Sequence, residues 1–307
     1  MIRVCIITFK GKEVGLGNYK RANYVRQILL KKYNIKLFVL EKLTDLDQGN
    51  IAFDKISLFK PKVIIFDINE KLIDKKIRKI IKIYKENYYL IGIDPGKSNI
   101  HLFNYNWISS LKLEKSAVYK SNNKIICSGP NSILINFKKK KIKKIKNSIL
   151  IIAGANDHHQ SITKIINIFE KKIKKKHNLI IIQGPYSKDI QIDKNTSHDW
   201  KIVKAPSSIE KYLSYSEIVI TRYGVSFFEA LSNNCKIIFF TNNYRKEKDN
   251  IRYIIKNNLA IYLNNFDKIE EKMKYLKKLK LENYFFSDDH NNKILLKFDE
   301  IIFTNCT

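Results

Sequence analysis

Short apolar runs that end at a glycine or a carboxylate, each followed by a longer stretch with helical spacing, recur in two blocks. This alternation constrains the fold more than any other feature of the chain. Residues 2–8 form an apolar run, 18–32 carry helical spacing, and 36–40 are apolar again, a βαβ opening. Pro61 precedes the run 63–66, which ends at Asp67; a lysine-rich amphipathic helix is expected over 71–85, and the strand 88–93 ends at Asp94. The second block has strands at 148–153, 178–183, 200–203, 217–221 and 236–240, helices at 161–175, 207–214 and 226–233, and an irregular segment running through His198. Residues 293–303 read as a final helix or packing segment. The expected class is α/β, with two doubly wound domains, and such sheets bind ligands at the C-terminal ends of their strands.

The length of 307 residues fits two domains. The stretch 137–147, dense in lysine and poor in glycine and proline, marks the boundary, which gives an N-terminal domain at 1–140 and a C-terminal domain at 141–307. No apolar run reaches the ~18 residues needed to cross a bilayer, and residues 1–8 are too short for a signal peptide, so a cytoplasmic protein is expected. Cys5, Cys127, Cys235 and Cys306 are far apart, without the paired spacing of a zinc site or a disulfide framework. The net charge of +29 is spread as lysine over every segment, with clusters only at 138–146 and 171–176. A solvated surface is the expected reading and no nucleic-acid partner is expected; weak peripheral contact with acidic lipid headgroups is the alternative.

Three loops could carry chemistry. Gly15 and Gly17 lie between the first strand and its helix, where glycine lets the backbone turn tightly and approach a ligand, and where the helix N-terminus offers amides to an anion. The third glycine of a dinucleotide fingerprint is missing, so a nicotinamide site is disfavoured; a plain tight turn is the rival reading. Gly154 to Asp157 occupy the corresponding place in the second block, where Asp157 reads equally as a helix N-cap. His158 and His159 are adjacent and do not form an i, i+4 metal pair. The third loop follows the strand 217–221: Gly224 makes the turn, Ser226 opens a helix, and Glu229 stands in its first turn. Ser226 with the helix amides can hold a phosphate and Glu229 can accept from a ribose diol, but a capping box from Ser226 to Glu229 has the same three-residue spacing.

Together these segments resemble the PseG-like UDP-sugar hydrolases of pseudaminic acid synthesis. The resemblance rests on Gly15-Leu16-Gly17-Asn18-Tyr19-Lys20-Arg21, Ile65-Phe66-Asp67, Ile93-Asp94, Gly154-Ala155-Asn156-Asp157 and the segment Thr221 to Leu231, in the family's order and spacing, over roughly residues 1 to 265. Those enzymes share the GT-B fold with the peptidoglycan N-acetylglucosaminyltransferase MurG, so the resemblance implies two Rossmann-like domains facing across a cleft. It implies UDP in the second domain, with Gly224 and Ser226 near the diphosphate, Glu229 at the ribose and Gly154 and Asp157 on the facing loop. The first domain would hold the sugar and a glycan acceptor through Gly15, Gly17, Asn18 and Arg21, with Asp67 and Asp94 as polar contacts. No metal or other cofactor is implied, because helix dipoles and basic side chains can neutralise a diphosphate.

The chain departs from the family at two places. Asn18 stands where the family carries its water-activating histidine, and an amide nitrogen cannot take a proton near neutral pH. Ala155 replaces the second glycine of the family's Gly-Gly-x-Asp loop. Three functions therefore stay open: a UDP-sugar hydrolase with a substitute base such as Asp94, a glycosyltransferase that moves the sugar to a polysaccharide acceptor, and a nucleotide-sugar-binding protein without activity.

Overall fold

The structure, a computed structural model, describes residues 1–12, 15–41, 51–111, 117–121, 124–136, 143–157, 159–173, 177–192, 196–278 and 286–306. His158 and parts of both lysine clusters, 138–142 and 174–176, lie outside the described residues. The chain divides into two compact units, Met1–Asn136 with Asp289–Thr307, and Phe137–Asp288.

In the first unit β1 (Arg3–Phe9), α1 (Gly17–Leu29), β2 (Asn34–Leu40), α2 (Ile51–Phe59), β3 (Val63–Asp67), α3 (Lys75–Asn87) and β4 (Tyr89–Ile93) alternate, and β5 (Tyr105–Trp107), β6 (Ala117–Ser121) and β7 (Lys124–Ser128) complete the sheet. Its order is β2-β1-β3-β4-β5-β7-β6, parallel throughout except where β6 runs against β7. Every residue of β3 is buried, as a central parallel strand with both faces covered requires. Alternation along β1 sorts the core. Val4 and Ile6 pack with Ala22, Val25 and Leu29 of α1 on one face, whereas Cys5, Ile7 and Phe9 pack with Ile56 of α2 and Ile77, Ile80 and Ile81 of α3 on the other.

The second unit contains β8 (Ile145–Ile152), α4 (Ser161–Lys172), β9 (Asn178–Gln183), β10 (Asp199–Lys204), α5 (Glu210–Tyr215), β11 (Ser216–Arg222), α6 (Val225–Ser232), β12 (Lys236–Phe240), α7 (Tyr244–Lys256), β13 (Ile261–Tyr262) and α8 (Ile269–Lys278). The sheet order is β10-β9-β8-β11-β12-β13, all parallel, which is the doubly wound dinucleotide-fold order. Its core is separate, built from Ile149, Ile151, Ile165, Phe169, Ile181, Ile220 and Ile238 among others.

The helix expected near the end of the chain is α9 (His290–Cys306), and it packs on the first unit. Phe298 stacks on Trp107 with ring centroids 4.4 Å apart and planes at 2°. His290 Nε2 donates to the Ile133 carbonyl at 2.9 Å, and Tyr24 of α1 donates to Asn291. Lys32 and Tyr33 both bond Asp299. The second domain, expected to run to residue 307, therefore ends at 288, because α9 carries apolar side chains that complete the β1–α1 face of the first core. The helix expected over 71–85 begins later, at Lys75, where the Asp74 carboxylate accepts from the Ile77 amide at 2.8 Å. Among the described residues no helix is long and apolar enough to cross a membrane.

Candidate functional site

Both sheets have a switch point, where consecutive connections leave to opposite sides and the strand ends open a crevice. In the first unit it lies between β1 and β3, in the second between β8 and β11. The residues singled out from the sequence gather at these two places.

At the first switch point Gly15 takes φ +74° and pairs with Gly11, which closes the loop after β1. Gly17 opens α1, whose N-terminus has no side-chain cap. Asp67 ends β3 with its carboxylate fully buried, and a carboxylate in that position needs a partner. Arg21, on the second turn of α1, provides it. Its Nη2 and Nε donate to Asp67 Oδ1 and Oδ2 at 2.6 and 3.1 Å, while Nη1 donates to Asp94 Oδ2. Asp94 follows β4 in a left-handed conformation, φ +48°, and its other oxygen accepts from the Ser109 amide at 2.8 Å. Burial opposes the Arg21 cation, but the two carboxylates outweigh it and hold the guanidinium charged. Burial pushes the Asp67 carboxyl up, against the pull of Arg21. Asn18 is buried and its Nδ2 donates to the Asp67 carbonyl at 3.3 Å. Arg21 is thus committed to two carboxylates and is no spare cation for a phosphate.

At the second switch point Gly154 follows β8 with φ +93°, and a Cβ there would lie 2.6 Å from Arg222 Nη2. The Arg222 guanidinium therefore rests on the glycine, with Nη1 donating to the Asn156 carbonyl at 3.3 Å. Arg222 makes no ion pair among the described residues; burial lowers its pKa, with the charge of Asp157 acting the other way. Gly184, after β9, fits under the same loop, since a Cβ there would meet the Gly154 and Ala155 backbone at 2.3 to 2.5 Å.

The two helix N-termini at this switch point differ. Asp157 Oδ1 and Oδ2 accept from the Ser161 and Ile162 amides at 2.9 and 2.8 Å, so Asp157 acts as the cap of α4 and fills the place an anion would take. The N-terminus of α6 has Gly224 as N-cap, at φ +150° with open space beside it, and no side-chain cap. This places Ser226 second in the helix and Glu229 fifth, so the capping box expected between them is out of register. Both side chains are half-buried. Tyr223 packs on Phe227, Phe228 and Phe239, with centroids 5.5 to 6.2 Å apart, and so anchors the turn. The sequence pattern does not single out Arg222. Its signal was available, as a cation ending a buried strand directly before a glycine turn and helix.

The sequence matches no protein-family model and no curated protein. The fold has relatives among solved structures over the whole chain. MurG of Acinetobacter baumannii is 8% identical over 98% of this chain and 100% of its own, with TM-score 0.57. The UDP-GlcNAc 2-epimerase of Methanocaldococcus jannaschii, in complex with UDP-GlcNAc and UDP, is 12% identical over 97% and 100%, also with TM-score 0.57. The glycotransferase of kitacinnamycin is 7% identical over 99% of each chain, with TM-score 0.55. The chain thus has the GT-B architecture of two parallel-sheet α/β domains. That is the part of the sequence resemblance these structures carry; they do not single out the PseG-like hydrolases.

Proposed function

We propose that the protein processes a UDP-sugar, binding its diphosphate at the second switch point. The observation that carries this reading is the set Gly154, Arg222 and Gly224: a half-buried cation without an ion pair among the described residues, beside the uncapped amides of α6 and a glycine with open space. A helix N-terminus with an adjacent guanidinium is suited to a diphosphate. Solved relatives in the fold hold UDP and UDP-GlcNAc in the M. jannaschii epimerase, UDP in S. aureus MnaA and thymidine diphosphate in spinosyn rhamnosyltransferase SpnG, which supports a nucleoside diphosphate. Uridine rests on the sequence resemblance, with Glu229 as the acceptor for the ribose.

For the reaction, transfer of the sugar to a glycan hydroxyl is the reading we favour over hydrolysis. A hydrolase needs a base for water. Asn18 is an amide tied to the Asp67 carbonyl, and both oxygens of Asp94 are engaged, by Arg21 and by the Ser109 amide. In transfer with retention, the acceptor enters on the face the diphosphate leaves and gives it its proton, so no side-chain base is required; water attacking from the opposite face has no such proton acceptor. Gly15, Gly17 and Asn18 would line the sugar or acceptor contacts, with Arg21, Asp67 and Asp94 as their frame.

The test is turnover of a UDP-sugar panel with and without glycan acceptors, beside calorimetry of UDP against ADP and UMP. Acceptor-dependent release of UDP is expected. Free sugar formed without acceptor would return the assignment to a hydrolase, and binding without turnover would leave a nucleotide-sugar-binding protein. Equal affinity for UDP and UMP would remove the diphosphate site.

A further inference from the structure

Helix α3 carries six lysines and arginines and one carboxylate, Glu86, in thirteen residues. Its inner side is fully used: Ile77, Ile80, Ile81 and Tyr84 are buried in the core under the sheet. Its outer side exposes Lys75, Lys76, Lys79, Lys82, Ile83 and Glu86, each with another of the set three or four residues away, so they lie along one broad stripe. Lys75, Lys79 and Lys82 make no ion pair among the described residues. The nearest acid before the helix, Asp74, is occupied as its cap. Helix α2 packs Ile56 into the same core and, in that layer, exposes Asp54, Lys55 and Leu58, the last 78% accessible, so it adds an apolar tip and no net charge.

A helical layer of exposed lysines, three of them without an ion pair among the described residues, with aliphatic tips between them matches an anionic, apolar-backed surface. We propose that this α2–α3 face of the first unit rests on an anionic lipid bilayer. Nucleic acid suits it less well, because α3 exposes no aromatic ring for base stacking and isolated Leu58 and Ile83 gain nothing against phosphates. The apolar side of α3 is committed to the core, so the helix cannot sink into the membrane. Contact is electrostatic, with Leu58 and Ile83 reaching the headgroup level, and it reverses with salt. The proposal does not depend on which nucleotide sugar the second unit binds.

The experiment is cosedimentation of the full chain with phosphatidylcholine vesicles, with and without phosphatidylglycerol, at about 0.1 M salt. Binding only to the anionic vesicles is expected, at about fivefold in affinity per lysine. Lys75→Glu, Lys76→Glu, Lys79→Glu and Lys82→Glu together should then reduce binding by at least about 600-fold, since each replaces a positive charge by a negative one. A control with the same charge change on exposed lysines of the second unit, Lys164, Lys171, Lys201 and Lys248, should keep most of it. Equal loss in the control would mean bulk charge rather than this face, and would overturn the proposal. So would binding to duplex or single-stranded nucleic acid with no binding to vesicles. Both variants are checked for folding by their melting curves. Independently, Ile83→Trp should show a blue-shifted emission on anionic vesicles only; an unchanged spectrum would overturn the proposal even if the protein sediments.

Discussion

Arg222 and Gly154 are coupled by contact, so each can be used to probe the other. Gly154→Ala places a methyl 2.6 Å from Arg222 Nη2 at a backbone φ of +93°, a conformation costing a non-glycine residue roughly 1–2 kcal/mol. The guanidinium must move. UDP affinity is expected to fall about ten- to a hundredfold, as for Arg222→Ala, since a hydrogen bond to a charged group is worth ~1.5–3 kcal/mol. Calorimetry checks this, and unchanged affinity in both variants would place the diphosphate elsewhere. Asn18 offers a second probe. Because its Nδ2 already donates to the Asp67 carbonyl, an imidazole there could make that bond with one nitrogen and leave the other basic. Asn18→His is expected to raise UDP-sugar hydrolysis by up to ~10²–10⁴, measured as free sugar formed without acceptor. Hydrolysis that stays at background for every sugar tested would show that more than Asn18 separates this chain from the PseG-like hydrolases it resembles.

Among the elements, α9 carries a pH dependence of its own. His290 is buried, and burial lowers its pKa below the usual 6.5, against the bond to the Ile133 carbonyl and the charge of Asp289 and together with Lys293. The folded state therefore binds its proton later than the unfolded chain does. Stability from this group is full above about pH 6.5 and is lost as pH falls below it. Asp67 of the same unit, its carboxyl pushed up to about 7 by burial, acts with the opposite sign, so the His290 part is read as the difference in denaturant unfolding between the wild type and His290→Gln, which keeps a donor for Ile133 and should lose less stability below about pH 6.5. An equal loss in both would assign it to other groups. At this scale much of the fold is legible in the sequence. The expected strand 178–183 coincides with β9, and β1, β3, β4, β11 and β12 fall where their apolar runs do, because buried parallel strands are continuous and apolar. The sequence reading leaves α2, β5 to β7, α7, α8 and β13 unmarked. β5 and β13, three and two residues long, are too short to show a period. The candidate residues were legible as strand-end loops. The pairing of Arg21 with two carboxylates was not, since it joins positions 46 and 73 residues apart.

For the whole molecule, two separate cores predict two unfolding transitions. UDP should raise only the transition of the second unit, by mass action on the folded state. Phe298→Ala, which removes the ring stacked on Trp107, should lower only that of the first, by roughly 3–5 kcal/mol. Calorimetric scans of the wild type and this variant, with and without UDP, check both. A single transition shifted by either change would show that the units unfold together.

Residues 289–307 belong to the first unit yet follow the whole second unit in the chain. During synthesis Trp107 and its neighbours leave the ribosome long before Phe298 exists to cover them. The second unit can then fold first, although it is encoded later, while the first waits with part of an apolar face open to water. A chain cut short before residue 289 would keep every residue of the proposed diphosphate site and still present that open face to chaperones and proteases.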